Sequence, residues 1–541
     1  MKFTTVAAIA VCATPAVALV GRTSDNTNGH CKKTTVAILG GGMAGVAAAQ
    51  ALKNNSVTDF MILEYQNRLG GRVLHQNFGA KKDGSPYVIE MGANWIQGLG
   101  HAGGPENPIY TLAKKYGLKN TYSNYSSILT YNETGFTDYS QLIEEYSTAN
   151  EKMAAAAGRL LINNEQDQTA RAALALAGWN PKHSDMAAQA VEWFNFDWED
   201  AQTPEVSSAI FGAAGANLTF NQFSDENNLV VDPRGYDYII TEEAKTFLRK
   251  NDPRVMLNTQ VTNISYTDHG VTIHNKDGSC VEAAYAICTF SVGVLQSDTI
   301  NFSPKLPEWK QTAIEKFSMG TYTKIFLQFN ETFWPEDTQY FMYASPTTRG
   351  YYPVFQSLST EGFLPGSNII FATVVTEESY RIEQQTDKQT KDQVVQVLRE
   401  MYPNVTIPEP TAFYYPRWTQ KPWAFGSYSN WPVGTTLEMH QNLRANADRL
   451  WFAGEATSAS YFGFLHGAWY EGREAGSQIA GIMQNRCINV YGNGSKPLCG
   501  QRTHYEHLKG TSPLENYDLI NGWAVSSLTE DEKAGVEARR K

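Results

Sequence analysis

The first clear periodicity lies at Thr34–Leu39 (TTVAIL), an apolar run followed by three glycines and an Ala-rich segment from about Met43 to Lys53. A short apolar run bounded by glycine predicts a buried strand, and the segment beyond it a helix. Thr58–Leu63 (TDFMIL) predicts a second strand ending at Glu64, which completes a β-α-β unit with parallel pairing. From about Asn107 to Ser224 the pattern is mostly helical, with Ala-rich stretches at Met153–Arg159 and Arg171–Ala177. Between Val255 and Thr289 the period changes to two, and Asp277-Gly278-Ser279 reads as a turn between strands. A second β-rich region covers Tyr322–Val375. The helix predicted over Lys388–Tyr402 carries an apolar stripe of Val394, Val397, Leu398 and Met401 before Pro403. A strand at Leu450–Phe452 and a long helix at His466–Met483 follow, and the polar stretch after Cys499 predicts a peripheral tail. No internal repeat is present.

A chain of 541 residues exceeds what one core organises, so two domains are expected and three are allowed. Hydrophobic residues at 42% and charged residues at 18% exclude a disordered or collagen-like chain. A net charge of −11 argues against nucleic acid or an anionic membrane as partner. The N-terminus changes the picture further. One Lys, an apolar stretch Val6–Val11 and the small-residue site Ala16-Val17-Ala18 describe a secretory signal peptide over residues 1–18, cleaved after Ala18. It is too short to span a membrane and is interrupted by Pro15. Nine glycosylation sequons, beginning at Asn54, Asn124, Asn132, Asn217, Asn263, Asn301, Asn330, Asn404 and Asn493, support a secreted, extracellular protein. Of six cysteines, Cys12 lies in the leader. Cys487 and Cys499 flank a loop and favour a disulfide. Cys280 and Cys288 share one extended strand, about 26 Å apart at about 3.3 Å per residue, too far to bond. They read as small buried hydrophobes, and Cys31 has no obvious partner.

Chemistry enters with Gly40, Gly42 and Gly45, which form G-x-G-x-x-G between the first strand and helix. The first glycine permits the tight turn, the second lets a pyrophosphate approach the backbone, and the third allows close helix–strand packing. The helix N-terminus adds partial positive charge. Glu64 follows 19 residues after Gly45, where a carboxylate accepts ribose hydroxyls. The dinucleotide could be NAD or FAD. A secreted protein has no dependable pool of diffusible NAD, whereas FAD stays bound and is reoxidised by oxygen. Arg68 and Arg72 after Glu64 place two guanidinium groups near the pyrophosphate. Gly454 and Glu455, in Trp451–Glu455, precede the last helix, whose N-terminus suits negative charge on a reduced isoalloxazine. Elsewhere, Glu192–Glu205 (EWFNFDWEDAQTPE) alternates acids with rings, a combination suited to a polyammonium ligand but also to a solvated amphipathic segment. No zinc-type Cys/His spacing, Gly-x-Ser-x-Gly elbow or Cys-x4-Cys redox pair occurs, and no metal is expected.

The motifs GGGMAG, LEYQNRLGGR, MGANW, YTKIFLQF, SNWPVG, WFAGEATS and FGFLHGAWYEG stand in an order that resembles the flavin-containing amine oxidases, most of all the secreted polyamine oxidases. The similarity runs from about Thr35 to Ile482. It implies an α/β protein: a doubly wound, Rossmann-like FAD-binding domain from segments 34–107, 226–313 and 444–485, and an α+β substrate domain from 108–225 and 314–443. Residues 486–541 form a tail. The resemblance implies non-covalent FAD, with Gly92, Ala93, Asn94, Trp95 and Val261 added to its contacts. It implies a small-molecule polyamine and molecular oxygen as partners, with a monomer favoured. Lys324 matches the family's active-site lysine, which reaches the reactive flavin nitrogen through a water. Judged on residues alone, Lys324 reads as a strand-edge lysine that discourages aggregation. Glu199 matches an acid near the substrate tunnel, Tyr322 lies in the lysine's motif, and Tyr428 matches one of two rings at the flavin.

Two positions depart from that family. Gln97 stands where the plant-type secreted enzymes usually carry glutamate, and Phe464 replaces a tyrosine of the ring pair. No cysteine lies in Ser458–His466, where monoamine oxidases attach their flavin, so dissociable FAD is expected. The expected reaction oxidises spermidine, spermine or acetylated derivatives to an aldehyde, an amine and hydrogen peroxide. An L-amino-acid or monoamine oxidase is the enzymatic alternative, and a secreted flavin-binding module without turnover is the non-enzymatic one.

Overall fold

The computed structural model describes residues 31–163, 165–491, 496–508 and 534. The expected leader with Cys12, the sequon at Asn493 and the C-terminal segment to Lys541, save Ala534, lie outside those residues. Two sheets organise the rest. The first has eight strands. Lys32–Leu39 lies at its centre, parallel to Phe60–Leu63 on one side and to Cys280–Cys288 on the other. Val255–Met256 extends it beyond Phe60–Leu63, and Leu450–Phe452 pairs in parallel with the C-terminal end of Cys280–Cys288. The strands Val271–Asn275 and Val261–Tyr266 continue the sheet in antiparallel fashion. The predicted β-α-β unit is present, its helix running Met43–Asn54. That helix packs along Leu465–Met483, and Cβ atoms at Gly472 and Gly476 would strike the Ala44 and Ala48 backbones. The two glycines therefore permit the close contact that brings both ends of the chain onto one sheet.

The second sheet orders its seven strands as Ala412–Tyr414, Tyr322–Gln328, Ile369–Val375, Val354–Ser357, Tyr340–Ala344, Ile128–Asn132 and Gly135–Phe136. Tyr322–Gln328 and Ile369–Val375 are buried at every position, on both faces, so their few polar residues (Thr323, Lys324, Gln328 and Thr373) are buried with the apolar ones. Ile128–Asn132 falls within the stretch expected to be mostly helical. It pairs in parallel with Tyr340–Ala344, a contact across more than 200 residues that no local pattern signals. The helix Asp387–Met401 covers this sheet, its stripe of Val394, Val397, Leu398 and Met401 buried and its start fixed by a Thr386/Gln389 capping box.

Three cysteine expectations meet the structure differently. Cys487–Cys499 is bonded as expected, and Cys288 is buried and free. Cys280 is not a packed hydrophobe: it bonds Cys31, with Cα atoms 4.5 Å apart. The parallel register sets Lys32 opposite Val281, which places the preceding residue of each strand, Cys31 and Cys280, side by side. The segment after Cys499 is also less peripheral than expected. Arg502 is buried, donates to the carbonyls of Arg444 and Phe452, and pairs with Glu471 and Glu474 of the last helix.

Candidate active site

A single cavity of about 990 Å³ runs from the G-x-G-x-x-G turn to an aromatic chamber under the second sheet. At its first end Gly40 holds φ +114°, and Gly45 packs so tightly that a Cβ there would collide with the Gly40 carbonyl oxygen. Gly42, the N-cap of the following helix, faces the Cα of Gly71 and offers no side-chain cap, so the helix amides are left for a ligand. Glu64 lies just beyond its strand and lines the cavity. Its two oxygens accept the amides of Gly41 at 2.6 Å and Gln66 at 2.7 Å. Burial raises its pKa, and those two hydrogen bonds oppose the rise. Val261 lines the same end with Thr259, whose amide donates to the Glu64 carbonyl at 2.8 Å.

The two arginines part company. Arg72 lines the cavity and donates to the Ser427 carbonyl at 2.8 Å and to Glu455 at 3.0 Å. Arg68 does not line it. Its guanidinium is taken up by the carbonyls of Leu69, Gly71 and Val73 and by Asp237, so it braces the loop from behind instead of facing a pyrophosphate. Glu455 is the junction at the middle of the cavity. Besides Arg72 it accepts from the Ser429 amide and hydroxyl and from the Gly463 amide, so it ties the segments of Arg72 and Ser429 to the loop that follows it. The long helix does not follow it directly. A single 3-10 turn, Glu455–Thr457, comes first and the helix starts at Leu465, with Leu465 and its N-cap Phe464 both on the cavity wall.

Gly92, Ala93, Asn94 and Trp95 form the wall between the two ends. Gly92 has no alternative here, because a Cβ would strike the Arg72 carbonyl oxygen. Lys324 lies beneath this wall and is 1% exposed, which rules out an aggregation-blocking surface lysine. Its Nζ donates to the Gly92 carbonyl and to Asn94 Oδ1, each at 2.8 Å, and sits 5.2 Å from the Trp95 ring centroid. Burial lowers its pKa, with Glu90 acting in the opposite sense.

The aromatic chamber holds Gln97, Glu199, Tyr322, Tyr428 and Phe464 together. Gln97 Nε2 donates to Glu199 Oε1 at 2.9 Å, so the residue that departs from the plant-type pattern touches the matched acid. Tyr428 lies 6.0 Å from the Tyr322 ring, and its hydroxyl donates to the Glu199 carbonyl at 2.8 Å. Phe464 stacks on His466 at 5.1 Å, and burial pushes that histidine down to about 3. Burial pushes the Glu199 carboxyl up to about 7, with the Gln97 hydrogen bond opposing.

Of the acids in the ring-bearing segment, three are neutralised within the fold. Glu192 pairs with Arg171 and Arg349, Asp197 with Arg349, and Glu205 with Arg171. Glu199 and Asp200 line the cavity instead. The Asp200 carboxylate receives a 3.3 Å contact from the Asn430 amide, and burial, then Glu199 and Asp197, push it up to about 8. The segment is therefore not a solvated amphipathic helix but a buried π-helical turn at Trp193–Asp197 that turns two acids into the chamber. Sequence reasoning missed Asp200 as a site residue, and also Trp418 and Trp423 on the cavity wall. The two tryptophans flank Lys421-Pro422, a dense aromatic signal within an otherwise weakly patterned loop.

The donors present fit FAD: an uncapped helix and a glycine turn for the pyrophosphate, Glu64 for the ribose, and a chamber of rings beyond Gly92–Trp95 for the isoalloxazine. Among the described residues no His/Cys/Asp/Glu group could hold a metal ion, and no helix is long and apolar enough to cross a membrane. The family model described as flavin containing amine oxidoreductase matches residues 43–480. Polyamine oxidase 1 of Zea mays is 36% identical over 478 residues, covering 85% of this chain and 93% of that protein. Polyamine oxidase 7 of Oryza sativa subsp. japonica is 37% identical over 455 residues, covering 81% and 93%. The solved structure of wild-type putrescine oxidase bound to putrescine aligns with TM-score 0.66 at 18% identity, covering 84% of this chain and all of that one, which supports the fold. Glycine turn, carboxylate, buried lysine and family match agree: the chain belongs to the flavin-containing amine oxidoreductases and is an FAD-dependent amine oxidase.

Proposed function

We propose that this enzyme oxidises polyamines (spermidine, spermine or acetylated derivatives) and does so outside the cell. The observation that carries the substrate reading is the pair of acids, Glu199 and Asp200, that the ring-bearing segment presents to the aromatic cavity while its other acids, Glu192, Asp197 and Glu205, are matched by arginine. Rings hold a methylene chain and cation-π contact favours an ammonium, while a carboxylate adds charge-assisted hydrogen bonding. Arg72, the arginine on the cavity wall, is engaged by Glu455 and Ser427, so it is not free to clamp an amino-acid carboxylate. The names of the Zea mays and Oryza sativa relatives point to the same substrate class.

FAD, when bound, would supply the two-electron chemistry: it would take a hydride, which carries both electrons, from the carbon next to the amine nitrogen and pass the two electrons to oxygen. The substrate becomes an imine, water adds to it, and the C–N bond breaks to give an aldehyde and an amine; oxygen is reduced to hydrogen peroxide. Tyr322, Tyr428 and Phe464 orient the reacting carbon and exclude water. Gln97, Glu199 and Asp200 bind the part of the substrate that does not react. Lys324 holds a proton at Nζ, directly under Gly92 and Asn94, for the return of electrons to oxygen. Glycine turn, Glu64 and Arg72 serve cofactor binding, and the segment boundaries given above describe the proposed division into FAD and substrate domains. Two disulfides, the residue 1–18 leader and nine sequons support secretion.

The test is a peroxide assay across spermidine, spermine, acetylated spermine, monoamines and L-amino acids, with mass spectrometry of the products. Turnover of polyamines at least tenfold above both other classes is expected. Preference for an amino acid or a monoamine refutes the substrate reading, and flavin that spermidine fails to bleach anaerobically refutes turnover on it. N-terminal sequencing of the exported protein is expected to begin at Leu19, and retention in the cytosol refutes secretion.

A further inference from the structure

Behind the Gly92–Trp95 wall lies an acid that the chemistry above does not use. Glu90 ends the strand Tyr87–Glu90, paired with His75–Phe78 so that His75 stands directly opposite it. Glu90 is 5% exposed. Its Oε1 accepts the Tyr236 amide at 2.7 Å, and its Oε2 is buried with no hydrogen-bond partner among the described residues. Two residues further on, the Gly92 carbonyl receives the ammonium of Lys324. Both acceptors of that ammonium are neutral, and no carboxylate lies within ion-pair distance of it among the described residues. The fold thus buries an amine that no carboxylate contacts among the described residues and, two residues from one of its acceptors, a carboxyl with an open oxygen. Either alone is costly to bury, and each relieves the other through the Coulomb interaction that acts between them.

The other groups that act on Glu90 are His75, Asp237, Arg68 and the phenol of Tyr236. Asp237 is already matched, by His75 at 2.7 Å and Arg68 at 3.2 Å, so its repulsion of Glu90 is offset. Arg68 does not exchange protons at ordinary pH. His75, its side chain about a third exposed, is the imidazole of the set and reaches water, and its hydrogen bond to Asp237 raises its pKa.

We propose that Glu90 is a positioning residue that sets the charge of Lys324, with His75 as the point where this buried pair exchanges protons with solvent. Lys324 and Glu90 then hold one proton between them, as an ion pair or as a neutral pair. The proposal rests on the reading that Lys324 acts in flavin reoxidation.

The test is stopped-flow reoxidation of reduced enzyme by oxygen across pH 5.5–9.5 for wild type, Glu90→Gln, Glu90→Asp and Lys324→Met. Without the Glu90 charge Lys324 loses its proton more readily. The pH at which reoxidation falls should therefore move down by about one unit or more in Glu90→Gln, and return toward wild type in Glu90→Asp. An unmoved inflection in Glu90→Gln, where Lys324→Met does slow reoxidation, overturns the proposal alone. An unchanged rate in Lys324→Met instead overturns the role of the lysine on which it rests. Stability supplies a readout that does not need activity. If the two groups compensate each other, the double variant Glu90→Gln/Lys324→Met melts higher than Glu90→Gln, or is recovered in soluble form where the single variant is not. A double variant no better than the single one, by either measure, refutes the pairing.

Discussion

Glu199 gives the sharpest quantitative expectation. Burial pushes its carboxyl up to about 7, against an ordinary value of about 4.3 for a solvated glutamate. The charged form is the one that binds a second ammonium. With a pKa near 7, roughly one-tenth of it is ionised at pH 6 and roughly nine-tenths at pH 8. A hydrogen bond to a charged group is worth about 1.5–3 kcal/mol, or about 10- to 150-fold in affinity. Glu199→Gln should raise KM for spermidine by that factor at pH 8 and leave a much smaller deficit at pH 6. The Gln97 amide that now faces Oε1 can still meet a glutamine there, so the chamber keeps its shape. Low pH also protonates the reacting nitrogen, and a butylamine control separates the two effects. It shares that requirement but carries no second ammonium, so its KM should respond to pH alike in both proteins. The assay is steady-state peroxide release, with KM and kcat resolved at each pH. Two results refute the reasoning: a spermidine KM that changes equally with pH in both proteins, or a butylamine KM that suffers as much as spermidine.

Three further outcomes follow from the geometry. Gly45→Ala drives a methyl group into the Gly40 carbonyl, and backbone cannot yield as a side chain would; a loss of about 1–3 kcal/mol or more in stability and a fall in the flavin-to-protein absorbance ratio are expected. Lys324→Met should slow reoxidation by oxygen more than tenfold while flavin reduction by spermidine changes less, as read by stopped-flow absorbance. Cys280→Ser opens a disulfide spanning 249 residues and should destabilise the fold by about 2–5 kcal/mol in thermal unfolding, whereas Cys288→Ser, with no bond to lose, should cost less.

What could be read in the sequence is what depends on neighbours along the chain. The strand–glycine turn–helix at residues 32–54 declares itself because a buried strand, a turn of three glycines and an Ala-rich helix lie in sequence. The helix at Asp387–Met401 does so through its stripe and cap. The Ile128–Asn132 strand stayed hidden among helical segments because its partner, Tyr340–Ala344, lies in another part of the chain. Cys31 and Cys280 show the same limit more sharply. Distances along one strand correctly kept Cys280 and Cys288 apart, but the partner of Cys31 follows from the register of two parallel strands, which no residue on either strand announces.

The site divides along the same line, and the reason is electrostatic. Motifs located the acids of Glu192–Glu205, but spacing alone cannot separate a ligand-binding acid from a structural one, because that distinction lies in where the countercharges are. Arg171 and Arg349 stand 21 and 157 residues from Glu192, yet both reach it. Once they neutralise Glu192, Asp197 and Glu205, the acids that this segment presents to the cavity are Glu199 and Asp200. Arg68 makes the converse case. Its place beside Arg72 suggests a phosphate ligand, and only the three carbonyls and the carboxylate that surround it show that its donors are already engaged. In both cases which residue faces the cavity is settled by where the distant partners of its neighbours lie, a property of the whole chain that no single segment carries.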